Sequence, residues 1–109
     1  MDSYLAMIEA AENALKSIPA GASQVLVTKT ESGAISVFAN DLSAAAEERF
    51  LASQEEALSA ILCVWANGQI DVPSIRLRKT LIESNPKNAD AVIYLQGEEI
   101  CKKLLSQTV

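Results

Sequence analysis

A hairpin signal in the first half of the chain limits the folds that this sequence can adopt. Two strand-like segments, Gln24–Thr30 and Ala34–Ala39, are separated by the short turn Glu31-Ser32-Gly33. Short β-branched segments joined by a glycine-containing loop predict a β-hairpin. Because an isolated hairpin is only marginally stable in water, other parts of the chain must cover at least one of its faces.

Amphipathic helices are predicted on both sides of the hairpin. Apolar residues recur at spacings of four and three from Tyr4 to Ile18, and Pro19-Ala20-Gly21 then ends the pattern. This spacing is typical of a helix with one buried stripe. After the hairpin, Asn40-Asp41 can cap a short helix over Ala44–Phe50.

A helical pattern is also predicted directly after this one, and Asp41–Leu51 is either a separate helix or continuous with it. Ser53-Gln54-Glu55-Glu56 matches a capping box. The apolar residues that follow have spacings of three, one and three, and Asn67-Gly68 is a typical helix end. We therefore predict a helix over Glu55–Ala66. Its stripe of core residues is Leu58, Ile61, Leu62 and Trp65.

The last third of the chain predicts a helix, a strand and a final helix. Pro73 suits the first turn of a helix that continues to about Ser84. Ala91–Leu95 is apolar and predicts a strand, and Glu98–Gln107 predicts a helix that follows Gly97. Residues 69–72 are compatible with either a short strand or an extended connector.

These elements predict a single α+β domain over residues 1–109. The expected order is α-β-β-α-α-(β)-α-β-α. An order that mixes helices with a hairpin favours helices packed on one face of a sheet. We therefore predict a small, mostly antiparallel sheet of three to four strands with its helices on one face.

Composition excludes several kinds of chemistry. The chain contains no histidine, which removes the Ser-His-Asp and Cys-His nucleophile pairs and the commonest transition-metal ligand. The two cysteines, Cys63 and Cys101, lack CxxC spacing and are too few for a structural zinc site. We expect both to be free thiols, and we predict no cofactor and no metal.

Charge and hydropathy indicate where such a chain works. The net charge is −5, which disfavours sequence-independent binding of nucleic acid. Asp2, Glu9 and Glu12 occupy the region where a signal peptide would carry lysines, and no apolar stretch approaches the length of a membrane span. We therefore expect a cytoplasmic protein that binds neither nucleic acid nor a membrane.

One candidate site lies near the start of the predicted helix that follows Pro73. Ser74 and Arg78 are four residues apart, so their side chains would share a helix face and could bind an anion. The alternative is that the basic residues of this helix are only its solvent-exposed stripe. Arg76, Lys79 and Glu83 align in that way.

Acidic pairs offer the other source of chemistry. They are Glu47-Glu48, Glu55-Glu56 and Glu98-Glu99. Neighbouring residues on a helix point about 100° apart, so the two members of a pair do not face each other across a substrate. No spacing distinguishes one carboxylate as a general acid or base.

A candidate interface follows from alternation along the strands. Val25, Val27, Ile35, Val37, Ile93 and Leu95 can share one face beneath the helices. The reverse face would then carry the candidate interface residues Leu26, Thr28, Phe38, Val92 and Tyr94. An apolar patch of this kind predicts a homodimer. The alternative is that the helix Ala44–Phe50 folds over this face and buries it.

These observations favour a small, acidic, non-catalytic binding or assembly domain that acts through protein–protein contact as a homodimer. A first alternative is a dedicated partner protein, such as an inhibitor, an immunity protein or a chaperone-like protein. A second is a small enzyme that uses carboxylates.

Overall fold

A computed structural model describes residues 4–17, 23–95 and 101–109, with only the backbone of Cys101. Three helices and six strands lie within these ranges. In chain order they are α1 (Tyr4–Leu15), β1 (Gln24–Thr30), β2 (Ile35–Asn40), α2 (Ala44–Ala52), β3 (Leu58–Trp65), β4 (Ile70–Asp71), α3 (Ile75–Ser84), β5 (Val92–Leu95) and β6 (Cys101–Leu104). Two 3₁₀ segments, Pro86–Asp90 and Leu105–Thr108, follow α3 and β6.

The strands form one sheet that is larger than the three to four strands predicted. Its order is β2-β1-β3-β5-β6, with β4 paired to β3. The predicted hairpin is present as β1 and β2, and every pairing is antiparallel except that of β3 with β5. A parallel pair needs a long crossover, and α3 lies within that connection.

Helices cover both faces of this sheet, and the prediction that they cover only one is wrong. Successive side chains of a strand point to opposite faces, so Leu26 lies in one core cluster while Val25 and Val27 lie in the other. On the Leu26 side the helices contribute Phe50, Leu77 and Leu81, from α2 and α3. On the opposite side α1 contributes Met7 and Ala11.

The predicted helix Glu55–Ala66 is instead the central strand β3. Leu58, Ile61 and Leu62 are each at most 2% exposed, as predicted, whereas Trp65 is half-buried. A strand that is buried on both faces is a continuous apolar run without alternation. Such a run also contains helical spacings by chance, so periodicity alone selected the wrong element.

The predicted final helix Glu98–Gln107 is also not formed over its described part. Residues 101–104 form β6, which pairs antiparallel with β5 so that Val92 lies opposite Leu104. The 3₁₀ segment that follows buries Leu105 completely. Gly97 and the start of the predicted helix lie outside the described residues.

The five candidate interface residues do not form one exposed surface. Leu26 and Thr28 are 1% and 2% exposed. Phe38 is half-buried and packs on Phe50 of α2, with 5.5 Å between the ring centroids. The alternative in which the helix Ala44–Phe50 covers this side of the sheet is therefore the one that the structure adopts.

The remaining two candidate interface residues lie on the opposite face. Tyr94 is 3% exposed and Val92 is half-buried, and both pack in the cluster that α1 covers. The ring of Tyr94 meets that of Tyr4 edge-on, with 5.2 Å between the centroids. The predicted common face of Val25 and Ile93 is likewise divided, because these two residues belong to different clusters.

Cys63 lies in the middle of β3 as a free, fully buried thiol. Burial, and secondarily the negative charge of Asp71, raises the pKa of this thiol to about 12. A thiol with so high a pKa is a poor nucleophile and metal ligand. None of the described helices has the length and apolar character that a membrane crossing requires.

Candidate functional site

The starts of α2 and α3 lie beside the carboxyl ends of β2, β3 and β5. This edge of the sheet, formed by strand ends, is the candidate site. At this edge β1 begins with Gln24, which is paired with Asn40 at the end of β2 and with Trp65 at the end of β3. The carboxyl ends of parallel strands and the helices that start there form ligand sites in many open sheets that contain helices. Both β3 and its parallel partner β5 end at this edge.

The start of α2 is fixed by a short, hydrogen-bonded connection. Asn40 is 1% exposed, its amide nitrogen donates to Gln24 Oε1 at 3.0 Å, and its Oδ1 accepts from the Leu42 N–H at 3.0 Å. Leu42 has a positive φ of 69°, a conformation that costs energy for a residue with a Cβ. Ser43 then caps the helix by accepting from the Ala46 N–H at 3.0 Å.

The start of α3 is fixed in a similar way from β4. Asp71 accepts from the indole N–H of Trp65 and from the Val72 N–H, both at 2.8 Å. Ser74 is the N-cap of α3 and accepts from the Leu77 N–H at 3.2 Å. These contacts set the direction in which the chain enters α3, and with it the position of the Ser74 hydroxyl.

Glu47 joins the two helix starts. Glu47 is 8% exposed. Its Oε2 accepts from the Ser74 hydroxyl at 2.6 Å, and its Oε1 accepts from Arg76 Nη1 at 3.3 Å. The adjacent Glu48 is 71% exposed and lies 3.9 Å from Arg76 Nη2. We refer to Glu47, Ser74 and Arg76 as the Glu47 cluster.

The Glu47 cluster satisfies a buried carboxylate that would otherwise be costly. A carboxylate removed from water needs hydrogen bonds or an opposite charge, and Glu47 has both. The side chain of Arg76 is 53% exposed, so the cluster reaches solvent on the guanidinium side. Chemically, this arrangement offers a proton-accepting carboxylate, a hydroxyl and a fixed positive charge.

The anion site predicted at Ser74 and Arg78 is not assembled. The Ser74 hydroxyl donates to a carboxylate, which would repel an anion. Arg78 Nε donates to the Pro73 carbonyl at 2.9 Å, and its Nη1 donates to the Thr108 carbonyl. The two side chains share no hydrogen-bond partner among these contacts, and Arg78 instead ties the end of the chain to the start of α3.

The acidic pair Glu55-Glu56 is not part of the Glu47 cluster. Glu55 and Glu56 are exposed, and Glu56 accepts from the Ser32 hydroxyl at 2.6 Å. Hydrogen bonds from Ser32 and Thr30 lower the pKa of Glu56. The pair Glu98-Glu99 lies outside the described residues.

Sequence reasoning named Glu47 only as one of several acidic residues. One signal could have separated it from Glu48. Glu47 lies three residues before Phe50, so the two share the buried side of α2. Its partners on α3 are 27 and 29 residues away, and sequence spacing does not indicate such contacts.

A cavity of about 430 Å³ lies elsewhere, beside the end of α2. Phe38, Phe50, Gln54 and Glu56 line part of it, and no residue of the Glu47 cluster does. We place the candidate site at the Glu47 cluster because it joins a buried carboxylate, a hydroxyl and a guanidinium between two helix starts.

No ready-made metal site is present in the described part of the chain. No group of three or more histidine, cysteine, aspartate or glutamate side chains there could hold a metal ion.

The fold is shared with solved enzyme structures along the whole chain. Cytidine deaminase from Mycobacterium leprae is 20% identical, with a TM-score of 0.71, and the match covers 100% of this chain and 98% of that one. Cytidine deaminase from Burkholderia pseudomallei is 18% identical, with a TM-score of 0.68 and coverages of 100% and 97%. Cytidine deaminase from Mycobacterium tuberculosis is 15% identical, with a TM-score of 0.66, and the match covers 99% of this chain and 94% of that one.

Sequence comparison adds nothing to this likeness, since no family model and no curated protein matches the chain. The chain therefore has a cytidine deaminase-like α+β fold. The prediction of a non-catalytic binding or assembly domain is contradicted, because the solved structures that share this fold over nearly their full length are enzymes.

Proposed function

We propose that this chain is a small hydrolase of the deaminase type. It removes the exocyclic amino group of a cytosine-like base or nucleoside, with Glu47 as the proton-transferring group and without zinc. The observation that carries the proposal is the buried Glu47 carboxylate between the starts of α2 and α3. This is the small enzyme using carboxylates that the sequence left open as an alternative.

Support comes from the sequence signature of nucleobase deaminases. Zinc-dependent enzymes of this class carry H-x-E followed by P-C-x-x-C, in which the glutamate is the general acid and base and is not a metal ligand. In this chain Glu47 and Pro73 occupy the glutamate and proline positions. They lie at the starts of α2 and α3, which the hydrogen bond from Ser74 to Glu47 brings together.

The three metal-ligand positions of that signature do not fit a zinc ion here. They hold Ala45, Ser74 and Leu77. Alanine and leucine have no donor atom, Leu77 is 1% exposed within the core, and the Ser74 hydroxyl is already bonded to Glu47. Zinc prefers thiolate, imidazole or carboxylate ligands, so the proposed chemistry depends on the side chains alone.

The proposed reaction exchanges an amino group for a carbonyl. Water adds to the ring carbon that bears the amino group as one of its protons passes to Glu47, and Glu47 returns that proton to the departing nitrogen. The hydroxyl left on the carbon gives its proton to the adjacent ring nitrogen. The products are ammonia and the corresponding oxo base. A positioned acid–base group contributes roughly 10²–10⁴-fold, so we expect slow turnover.

The test is ammonia release from cytidine, deoxycytidine and adenosine by the purified chain in the presence of a chelator. We expect release above the buffer rate from at least one cytosine nucleoside, and its loss in Glu47→Gln. Glu48→Gln is the matched control, because Glu48 is the exposed neighbour. It should retain the rate of the wild type.

Two results would contradict the proposal. Release at the buffer rate from all three nucleosides would mean that the fold does not carry this activity. Release that survives in Glu47→Gln would mean that another group, or a contaminating enzyme, performs the reaction.

We further propose that the protein is cytoplasmic and forms a homodimer. Support for the dimer comes from β2, an edge strand with the exposed apolar residues Ile35 (39%) and Val37 (43%). Exposed apolar edges favour pairing with another strand.

Light scattering at micromolar concentration should give a dimer for the wild type and a monomer for Val37→Lys, while Leu5→Lys on α1 should remain dimeric. A monomeric wild type would contradict the proposal.

A further inference from the structure

One member of the Glu47 cluster, Ser74, stands at a metal-ligand position of the deaminase signature, and the cluster joins the two helix starts that carry those positions. We infer that the cluster replaces the metal ion as the link between α2 and α3, so that this chain folds and stays folded without zinc. The inference depends on the proposed function only for the assignment of the signature positions. It is tested by metal content and stability, which do not require deaminase activity.

The signature positions have other roles in this chain. Ser74 stands at a ligand position, and its hydroxyl both caps α3 and donates to Glu47. Leu77 stands at another, and its side chain packs in the core with Ile61 and Leu81. Both positions therefore attach α3 to the rest of the protein, one by hydrogen bonding and one by apolar contact.

Positive charge beside Glu47 also comes from within the protein. A bound metal would supply positive charge next to the buried glutamate. Here Arg76 supplies it, with Nη1 3.3 Å from Glu47 Oε1. Arginine suits this place because its guanidinium stays charged and forms directional hydrogen bonds with carboxylates.

A link between α2 and α3 also contributes to folding. Metal binding contributes free energy to folding, so a chain without the ligands needs other contacts between the same elements. Among the described side-chain contacts, the hydrogen bonds of Glu47 with Ser74 and Arg76 join α2 to α3. Glu47 lies on α2, whereas Arg76 lies on α3 and Ser74 is the N-cap of α3.

The first experiment measures metal and its effect on the unmodified protein. Purified without chelator, the wild type should contain far less than one equivalent of zinc. Excess EDTA should leave its Tm unchanged. Stoichiometric zinc, or a Tm lowered by EDTA, would overturn the inference whether or not the protein has deaminase activity.

The second experiment measures coupling within the cluster. Glu47→Gln and Arg76→Ala should each lower Tm by about 5 °C, because each weakens or removes a charge-assisted hydrogen bond at a buried carboxylate. The double variant should lose clearly less than the two changes added together. Glu48→Gln is the control and should leave Tm unchanged. Additive effects would mean that the pair does not link the helices.

The third experiment restores the ligands. A variant with Ala45→Cys, Ser74→Cys and Leu77→Cys, together with Arg76→Ala, should bind Co²⁺ and show thiolate-to-metal charge-transfer absorption. The control variant carries Ala44→Cys in place of Ala45→Cys and keeps the other three changes. It should bind Co²⁺ at least tenfold more weakly. Equal binding by a folded pair of variants would overturn the assignment of the positions. If the variants do not fold, the first two experiments decide the inference.

Discussion

Replacing Leu62 with alanine is expected to lower the free energy of unfolding by about 2–5 kcal/mol, the range for truncating a fully buried leucine. Leu62 is 0% exposed. It lies on β3, opposite Val27 of β1, in the cluster that α1 covers. Because β3 is hydrogen-bonded on both sides, the strands around Leu62 cannot close readily over the missing volume. Urea denaturation followed by circular dichroism measures the change.

Leu5→Ala is the matched control for this prediction. Leu5 is the same residue type but is 73% exposed on α1. Surface substitutions of this kind usually change stability by no more than about 0.5 kcal/mol. A loss below about 1 kcal/mol in Leu62→Ala would mean that β3 is not the packed centre of the sheet.

Asn88→Ala is expected to destabilise the protein by roughly 1–3 kcal/mol, because it leaves the buried Leu58 N–H without its side-chain acceptor. The Leu81 carbonyl keeps the Asn85 N–H as a donor. Asn88 is 2% exposed. Its Oδ1 accepts from the Leu58 N–H and its Nδ2 donates to the Leu81 carbonyl, both at 2.8 Å. One side chain thus fastens the start of β3 to the end of α3.

Asn67→Ala provides the comparison for Asn88. The Oδ1 of Asn67 accepts from the Gln69 N–H at 2.9 Å, but in an exposed turn where water can replace it. We expect a change of less than about 1 kcal/mol. Equal losses in the two variants, measured by the same denaturation, would show that burial of the Asn88 hydrogen bonds does not matter.

The candidate site was partly visible in the sequence. Ser74 was identified as a polar residue at a helix start, and it is indeed the N-cap of α3. Its partner was not visible, because Glu47 is 27 residues away. Spacing alone also does not distinguish Glu47 from the other acidic residues of the chain.

The sequence by itself determined the elements whose patterns are local. The stripe of α1, the turn between β1 and β2, and the cap of α3 are each specified by residues within a few positions of one another, and the structure contains all three. These features depend on helix and turn geometry, which neighbouring residues decide.

Only the tertiary structure decided the rest. Leu58–Trp65 is apolar enough for a buried helix or a buried strand, and it is a strand because β1, β4 and β5 pair with it. Both faces of the sheet are covered because α1 precedes the hairpin and packs on the side opposite α2 and α3. Glu47 differs from Glu48 because it alone of the two is buried, with Ser74 as its partner. Each outcome depends on contacts between residues far apart in the chain, and the free energy of burial and pairing outweighs local preference there.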